Sequence, residues 1–116
     1  MEVKATESDW KVMKRLQPVA LERFCDRTLS EVTRLASEPG KSSYERYNTV
    51  FQTLRERDEE LGKAFDDLRR NTLLPCLLNM RRLGLVTDEE FSRFSGDIRR
   101  TIEEVLKQLR KHERGS

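Results

Sequence analysis

Residues 71–91 read NTLLPCLLNMRRLGLVTDEEF, and this stretch decides how the helices of the chain are arranged. Its first ten residues carry no charge, although 38% of the whole chain is charged. Pro75 stands inside this apolar run, where a long helix would otherwise continue. Proline lacks an amide proton, and its ring collides with the carbonyl group four residues earlier. We therefore predict that the helix is kinked or broken near Pro75.

The residues before this run predict one long helix, over about 43–83. Ser42 and Glu45 have the S-x-x-E spacing of a capping box, and Gly84 is a suitable terminator. Within the segment, mostly apolar residues recur at alternating steps of three and four, which is the spacing of a coiled-coil seam. The positions of this seam are Tyr47, Phe51, Leu54, Asp58, Leu61, Phe65, Leu68 and Thr72.

Asp58 is the charged exception in the seam, at a position where an apolar residue is expected. One interpretation is that the seam is wide there and the carboxylate reaches water. The other is a buried ion pair with Arg23 or Arg27 of the first helix, which would fix the register of the two helices. A ligand or partner site centred on Asp58 is a third reading. Asp58 is therefore the candidate buried polar residue.

Two further helices are predicted, over about 8–37 and 88–112. Ser8 can cap the first, and Pro18 is expected to kink or break it near residues 16–17. Thr87 and Glu90 repeat the capping-box spacing before the third. The last helix has the most regular apolar stripe, and residues 112–116 are expected to fray. The stripe consists of Phe91, Phe94, Ile98, Ile102, Val105 and Leu109.

These elements predict an all-α fold in a single domain, 1–116: an antiparallel three-helix bundle of long helices. At about 1.5 Å per residue, a straight second helix would be about 60 Å long and would extend beyond its neighbours. Either Pro75 bends its last segment back, or a second subunit covers it, and we expect the second subunit. The candidate interface residues are Leu73, Leu74, Leu77 and Leu78, with Trp10 as an anchor or a core residue at the end of the bundle.

Composition excludes several classes of function. The formal net charge of +2 gives no general attraction to nucleic acid or anionic lipid. No apolar stretch approaches the ~20 residues of a membrane span, and the start of the chain lacks the apolar region of a signal peptide. Cys25 and Cys76 lie far apart in apolar surroundings, which favours two free thiols. We expect a cytoplasmic protein that does not bind membranes.

The chain lacks the residues that common enzyme sites require. His112 is its only histidine and lies in the tail, so histidine-based acid–base or metal chemistry is not expected. There is no Glu-x-x-His motif for a di-iron bundle and no Gly-rich phosphate loop. The prediction is a protein that is not an enzyme and has no cofactor and no metal.

One segment has a local likeness to DNA-binding proteins. Residues 82–94, RLGLVTDEEFSRF, resemble the turn and recognition helix of a helix-turn-helix. However, Asp88, Glu89 and Glu90 would meet the phosphates at the start of that helix and repel them. We therefore interpret the segment as a turn between antiparallel helices. The pair Arg81 and Arg82 has no acidic residue within the four positions before it, which leaves some room for an acidic partner.

Two functions remain after these exclusions. The first is a small helical protein that acts through protein contacts, as an interaction or regulatory module, with a homodimer as its expected form. The alternative is a nucleic-acid-binding helical protein that uses surface Arg and Lys, which the mixed surface charge disfavours.

Overall fold

The computed structural model describes residues 3–115, and these residues form helices and turns without any strand. Five α-helices follow one another: α1 (Glu7–Ala36), α2 (Ser43–Phe65), α3 (Leu73–Arg82), α4 (Asp88–Phe91) and α5 (Gly96–Gly115). A short 3₁₀ turn, Arg70–Thr72, comes immediately before α3. The all-helical class is confirmed. The predicted bundle of three long helices is not, because two of the three predicted helices are each divided in two.

The first helix is capped two residues earlier than expected and continues through its proline. Thr6, rather than Ser8, caps α1: its hydroxyl accepts the amide of Asp9 at 3.0 Å, and the Asp9 carboxylate accepts the amide of Thr6 at 3.0 Å. Pro18 does not break the helix. Pro18 and Lys14 are both exposed, so the carbonyl group that loses its helical partner can bond to water.

The predicted second helix is broken before Pro75, over residues 66–72. Thr72 stabilises the break: its hydroxyl accepts the Arg69 amide at 2.7 Å and donates to the Asp67 carbonyl. The new helix starts at Leu73, which places Pro75 third in α3. An amide in the first turn has no partner within the helix, so the missing proton of Pro75 removes no helical bond. A break near Pro75, one of the two predicted alternatives, is therefore observed, but it lies before the proline and is not caused by it.

The predicted third helix is interrupted at residues 92–95. The capping box of Thr87 and Glu90 is confirmed, with bonds of 2.9 and 3.1 Å, but α4 is only one turn long. The amide of Ser95 donates to Asp9 instead of to the preceding turn. A second helix, α5, then runs through Gly115, so the expected fraying from residue 112 is not observed as far as Gly115. Ser116 lies outside the described residues.

The core lies at one end of the molecule. It is formed by the first half of α1, the last turn of α2, one face of α3 and the start of α5, together with the connecting segments. Its buried residues are Met13, Leu16, Ala20, Phe24, Ala64, Phe65, Leu73, Cys76, Leu77, Met80, Leu85, Val86, Phe91, Phe94, Ile98 and Ile102. The rest of α1 and α2 extends from this body as an antiparallel hairpin, in a molecule 52 Å long and 23 Å thick.

The hairpin turns at residues 37–42, where the sequence predicts a stop. Gly40 has a φ of 82°, a value that L side chains rarely adopt. The Ser42 hydroxyl accepts the Glu45 amide at 3.1 Å, so the predicted cap of α2 is confirmed, while the Glu45 carboxylate accepts from the Ser42 hydroxyl at 3.3 Å. Gly84, with a φ of 72°, ends the segment that contains α3, as predicted.

Candidate interaction surface

A row of large apolar side chains lies exposed along the outer half of α2. Tyr44, Tyr47, Phe51 and Leu54 are 70%, 73%, 48% and 44% exposed. We call these four residues the α2 stripe. They follow one another at steps of three, four and three, so they lie on one narrow face of the helix. Among the described residues, six large apolar side chains are exposed, and four of them belong to this stripe.

The position of the core explains this exposure. The buried residues of α1 end at Phe24, and those of α2 are only Ala64 and Phe65. Arg27 still bonds to the carbonyl oxygens of Leu83 and Gly84, but beyond this point neither helix contributes a buried residue. A two-helix hairpin covers one face of each helix, so a second apolar face on α2 stays in contact with water.

A shallow groove of about 410 Å³ runs beside the stripe, on the side where α1 ends. One turn farther along α2, the Arg55 guanidinium lies 5.8 Å from the centre of the Phe51 ring and shields part of it. The groove contains few polar groups. It is lined by Ala36, Ser43, Arg46, Tyr47, Val50, Phe51 and Leu54.

Polar contacts between the two helices hold the outer hairpin together. Arg57 binds Glu31 of α1 through two bonds of 2.9 and 3.2 Å, and it also reaches Glu60 at 3.0 Å. The bond from Arg57 lowers the pKa of the Glu31 carboxyl. Nearer the turn, Arg46 donates to the carbonyl oxygen of Ala36 at 2.7 Å. These contacts keep α2, and therefore its stripe, in a fixed orientation relative to α1.

The apolar run of residues 71–80 does not form the exposed surface that the sequence suggested. Leu73 and Leu77 are fully buried, and Leu74 and Leu78 are half-buried and pack against the core. The expectation that a second subunit covers this run is therefore wrong for Leu73 and Leu77. The break at residues 66–72 ends α2 early, and the separate α3 packs against α1, α2 and α5 of its own chain.

Trp10 is half-buried and packs against the core, near the start of α1. Two cations lie near its ring, the Lys14 ammonium and the Arg70 guanidinium, each 5.9 Å from the ring centre. Such contacts stabilise a partly exposed aromatic ring within its own chain. The prediction that Trp10 is an interface anchor stays a prediction, because the structure contains a single chain.

Asp58 is exposed, so the interpretation that its carboxylate reaches water is confirmed, and the alternative of a buried ion pair is wrong. The two arginines considered as its partners are bound elsewhere. Arg23 binds Glu90, with bonds of 2.6 and 3.0 Å, and the carbonyl oxygen of Leu85. Arg27 donates to the carbonyl oxygens at the end of α3. Asp58 instead lies four residues after Leu54, the last residue of the α2 stripe, and the apolar surface ends there.

The buried carboxylate is Asp9, which sequence reasoning did not single out. It is 1% exposed and accepts bonds from the amide of Ser95 at 2.6 Å and its hydroxyl at 2.8 Å, besides the capping bond of Thr6. Burial alone would raise the pKa of Asp9, but these hydrogen bonds outweigh it and the pKa is lowered. The T-x-x-D spacing of Thr6 and Asp9 could have indicated the helix cap. It could not have indicated the bonds to Ser95, because Ser95 lies 86 positions from Asp9 in the sequence.

The paired arginines form ion pairs, although the partners are not always those closest in sequence. Arg81 binds Asp88 across the turn after α3, and Arg82 lies 3.9 Å from Glu113. Arg70 binds Glu7 of α1 at 2.6 Å. Arg81 and Arg82 have no acidic residue within the four positions before them in the sequence. In the folded chain, each of the two lies close to a carboxylate.

Other chemistry-bearing groups stay apart. Within residues 3–115 there is no cluster of three or more His, Cys, Asp or Glu side chains that could hold a metal ion. Cys25 and Cys76 are both free, and burial raises the pKa of the Cys76 thiol. None of the described helices is long and apolar enough to cross a membrane.

Comparison of the chain with protein-family models, with curated proteins and with solved structures found no match.

Proposed function

We propose that the protein is a non-enzymatic interaction module that presents the α2 stripe to a protein partner. The observation that carries this proposal is the exposure of Tyr47, an aromatic residue of a type enriched at binding hot spots. Aromatic side chains lose large areas of water contact on binding, and their rings have few rotatable bonds to restrict. An exposed apolar face of this kind is typical of a protein–protein contact.

The shape of the molecule supports the same function. The body is closed around its own core, while the hairpin extends from it and is held by the Arg57 and Glu31 pair. A partner that binds the hairpin can therefore do so without opening the core. A projecting helix with apolar residues at steps of three and four is suited to a helical partner.

Site-directed photo-cross-linking tests this function in the cells that make the protein. Benzoylphenylalanine replaces Tyr47 in one variant and Val19 in a matched control. Val19 is an apolar residue with 43% exposure on α1, outside the stripe. We expect protein adducts from position 47 that are absent or much weaker from position 19. Equal adducts from both positions, no adduct from position 47, or adducts only with nucleic acid would each contradict the proposal.

A further inference from the structure

The spacing of the α2 stripe specifies the kind of surface that fits it. Tyr44, Tyr47, Phe51, Leu54 and Asp58 follow strictly alternating steps of three and four. This is the a/d pattern of a coiled coil, narrower than the apolar face of a helix that packs on a globular core. The occupant that matches it is another helix with the same repeat. The described part of the chain contains such a helix, α2 itself.

We propose that the stripe binds the stripe of a second copy of this chain, with the two α2 helices antiparallel. This inference rests on the proposed function and names its partner. In antiparallel coiled coils an a position packs opposite a d position of the other helix. Centred on Thr49, this arrangement places Phe51 opposite Tyr47 and Leu54 opposite Tyr44 of the second copy. Every apolar residue of the stripe then meets an apolar residue.

Asp58 selects this arrangement over the others. In a parallel pair, Asp58 of one copy would face Asp58 of the other, and two carboxylates in a seam repel each other. An antiparallel pair shifted by one heptad would bring Asp58 opposite Tyr47, inside the contact. In the arrangement centred on Thr49, Asp58 lies opposite position 40, before α2 begins at Ser43, and stays in water.

The charges and the shape of the molecule favour the same pairing. Residues 43–58 have no net charge, so two copies of this segment have no net repulsion. The segment contains three acids, Glu45, Glu56 and Asp58, and three bases, Arg46, Arg55 and Arg57. The body packs around the far end of α2, at Ala64 and Phe65. Antiparallel pairing places the two bodies at opposite ends of the contact, whereas parallel pairing would force them side by side.

The contact is small. Eleven residues of helix extend about 16 Å, and the area they can bury is below the roughly 1,200 Å² of a stable complex. We therefore expect a reversible dimer that dissociates in the micromolar range. Weak self-association of this kind allows the protein to respond to its own concentration.

Sedimentation velocity over about 5 to 500 µM tests the dimer in a range suited to a contact of this size. The native chain is expected to pass from monomer to dimer over this range. Leu54→Glu should raise the dissociation constant at least about tenfold, as expected for a buried contact residue. Val19→Glu, at a residue of matched exposure outside the stripe, should leave it unchanged. Circular dichroism of each variant checks that the helices are retained.

Distances between nitroxide labels test the direction of pairing. Labels are placed through Asn48→Cys or Glu59→Cys, each combined with Cys25→Ser to remove the more accessible native thiol. With a rise of about 1.5 Å per residue, antiparallel pairing centred on Thr49 separates the two label sites along the axis by about 3 Å at position 48 and 30 Å at position 59. A parallel dimer would give similar short distances at both.

Different results overturn different proposals. A chain that stays monomeric at every concentration, or a dimer that Leu54→Glu and Val19→Glu affect equally, overturns the inference of a second copy. Parallel label distances overturn the antiparallel pairing. If the chain is monomeric and position 47 still cross-links to a different protein, the proposed function stands and only the second copy is excluded.

Discussion

At the scale of single residues, two carboxylates join distant parts of the fold. Asp9 joins the start of α1 to the start of α5 through Ser95, and Glu90 joins α4 to the middle of α1 through Arg23. The bond from Arg23 is the main cause that lowers the pKa of Glu90 from 4.5 to about 2. Both carboxylates therefore stabilise the folded state when they are charged.

Replacing the buried carboxylate should weaken the fold. Asp9→Asn keeps the size of the side chain but places an NH₂ group where one backbone amide now donates. We expect the free energy of unfolding to fall by about 2 kcal/mol, the usual range for leaving a buried donor unsatisfied. Asp58→Asn is the matched control, and at an exposed position it should change stability by less than about 0.5 kcal/mol. Urea unfolding followed by circular dichroism measures both, and equal effects would contradict the burial of Asp9.

The lowered pKa of Glu90 predicts a specific sensitivity to acid. Its pKa is lower in the folded than in the unfolded chain, so its stabilising effect is complete above the unfolded value of 4.5 and is lost as pH falls toward 2. Glu90→Gln should therefore destabilise the protein at pH 7, and its difference from the native chain should shrink as pH decreases from 4.5. Urea unfolding at a series of pH values measures this difference.

Glu89→Gln provides the control for this experiment, because Glu89 is the exposed neighbour of Glu90 in the same helix. It should change the free energy of unfolding little at pH 7. A difference between Glu90→Gln and the native chain that stays constant down to pH 2 would contradict the role of the Arg23 and Glu90 pair.

At the scale of elements, the sequence was most informative about where helices begin and end. The caps at Ser42 and Thr87 and the terminator Gly84 were predicted correctly, because each depends on residues a few positions apart. The break expected near Pro75 lies before the proline, at residues 66–72, and the break at residues 92–95 was not predicted. The second of them depends on Asp9, which takes the amide of Ser95 from the far end of the chain. Sequence periodicity carries no signal for such a contact.

The position of the first break gives a prediction for Pro75. In the first turn of α3 its ring costs no helical bond, and its fixed backbone angle restricts the unfolded chain. Pro75→Ala should therefore lower the free energy of unfolding slightly, by about 1 kcal/mol or less. If Pro75 instead interrupted a continuous helix, the same change would raise stability by roughly 3 kcal/mol. Thermal and urea unfolding distinguish the two signs.

At the scale of the whole molecule, the sequence predicted an uncovered apolar surface after Asn71, whereas the structure exposes one on the outer half of α2. The run at residues 73–78 looked uncovered because a straight helix would carry it past its neighbours. Because α3 is a separate helix, its own chain covers Leu73 and Leu77. The exposed apolar surface is the α2 stripe instead. Three of the four stripe residues, Tyr47, Phe51 and Leu54, were identified as seam positions from the sequence. Their exposure could not be, because it depends on where the core ends along the hairpin.

The central claim is that the protein associates with a second copy of itself through the α2 stripe. Amide chemical shifts recorded by NMR while the concentration of the native chain is raised test this claim most directly. We predict shifts that grow with concentration and are confined to residues 44–58 and the neighbouring end of α1. Shifts centred on Leu74 and Leu78 of α3, or no shifts at any concentration, would contradict it.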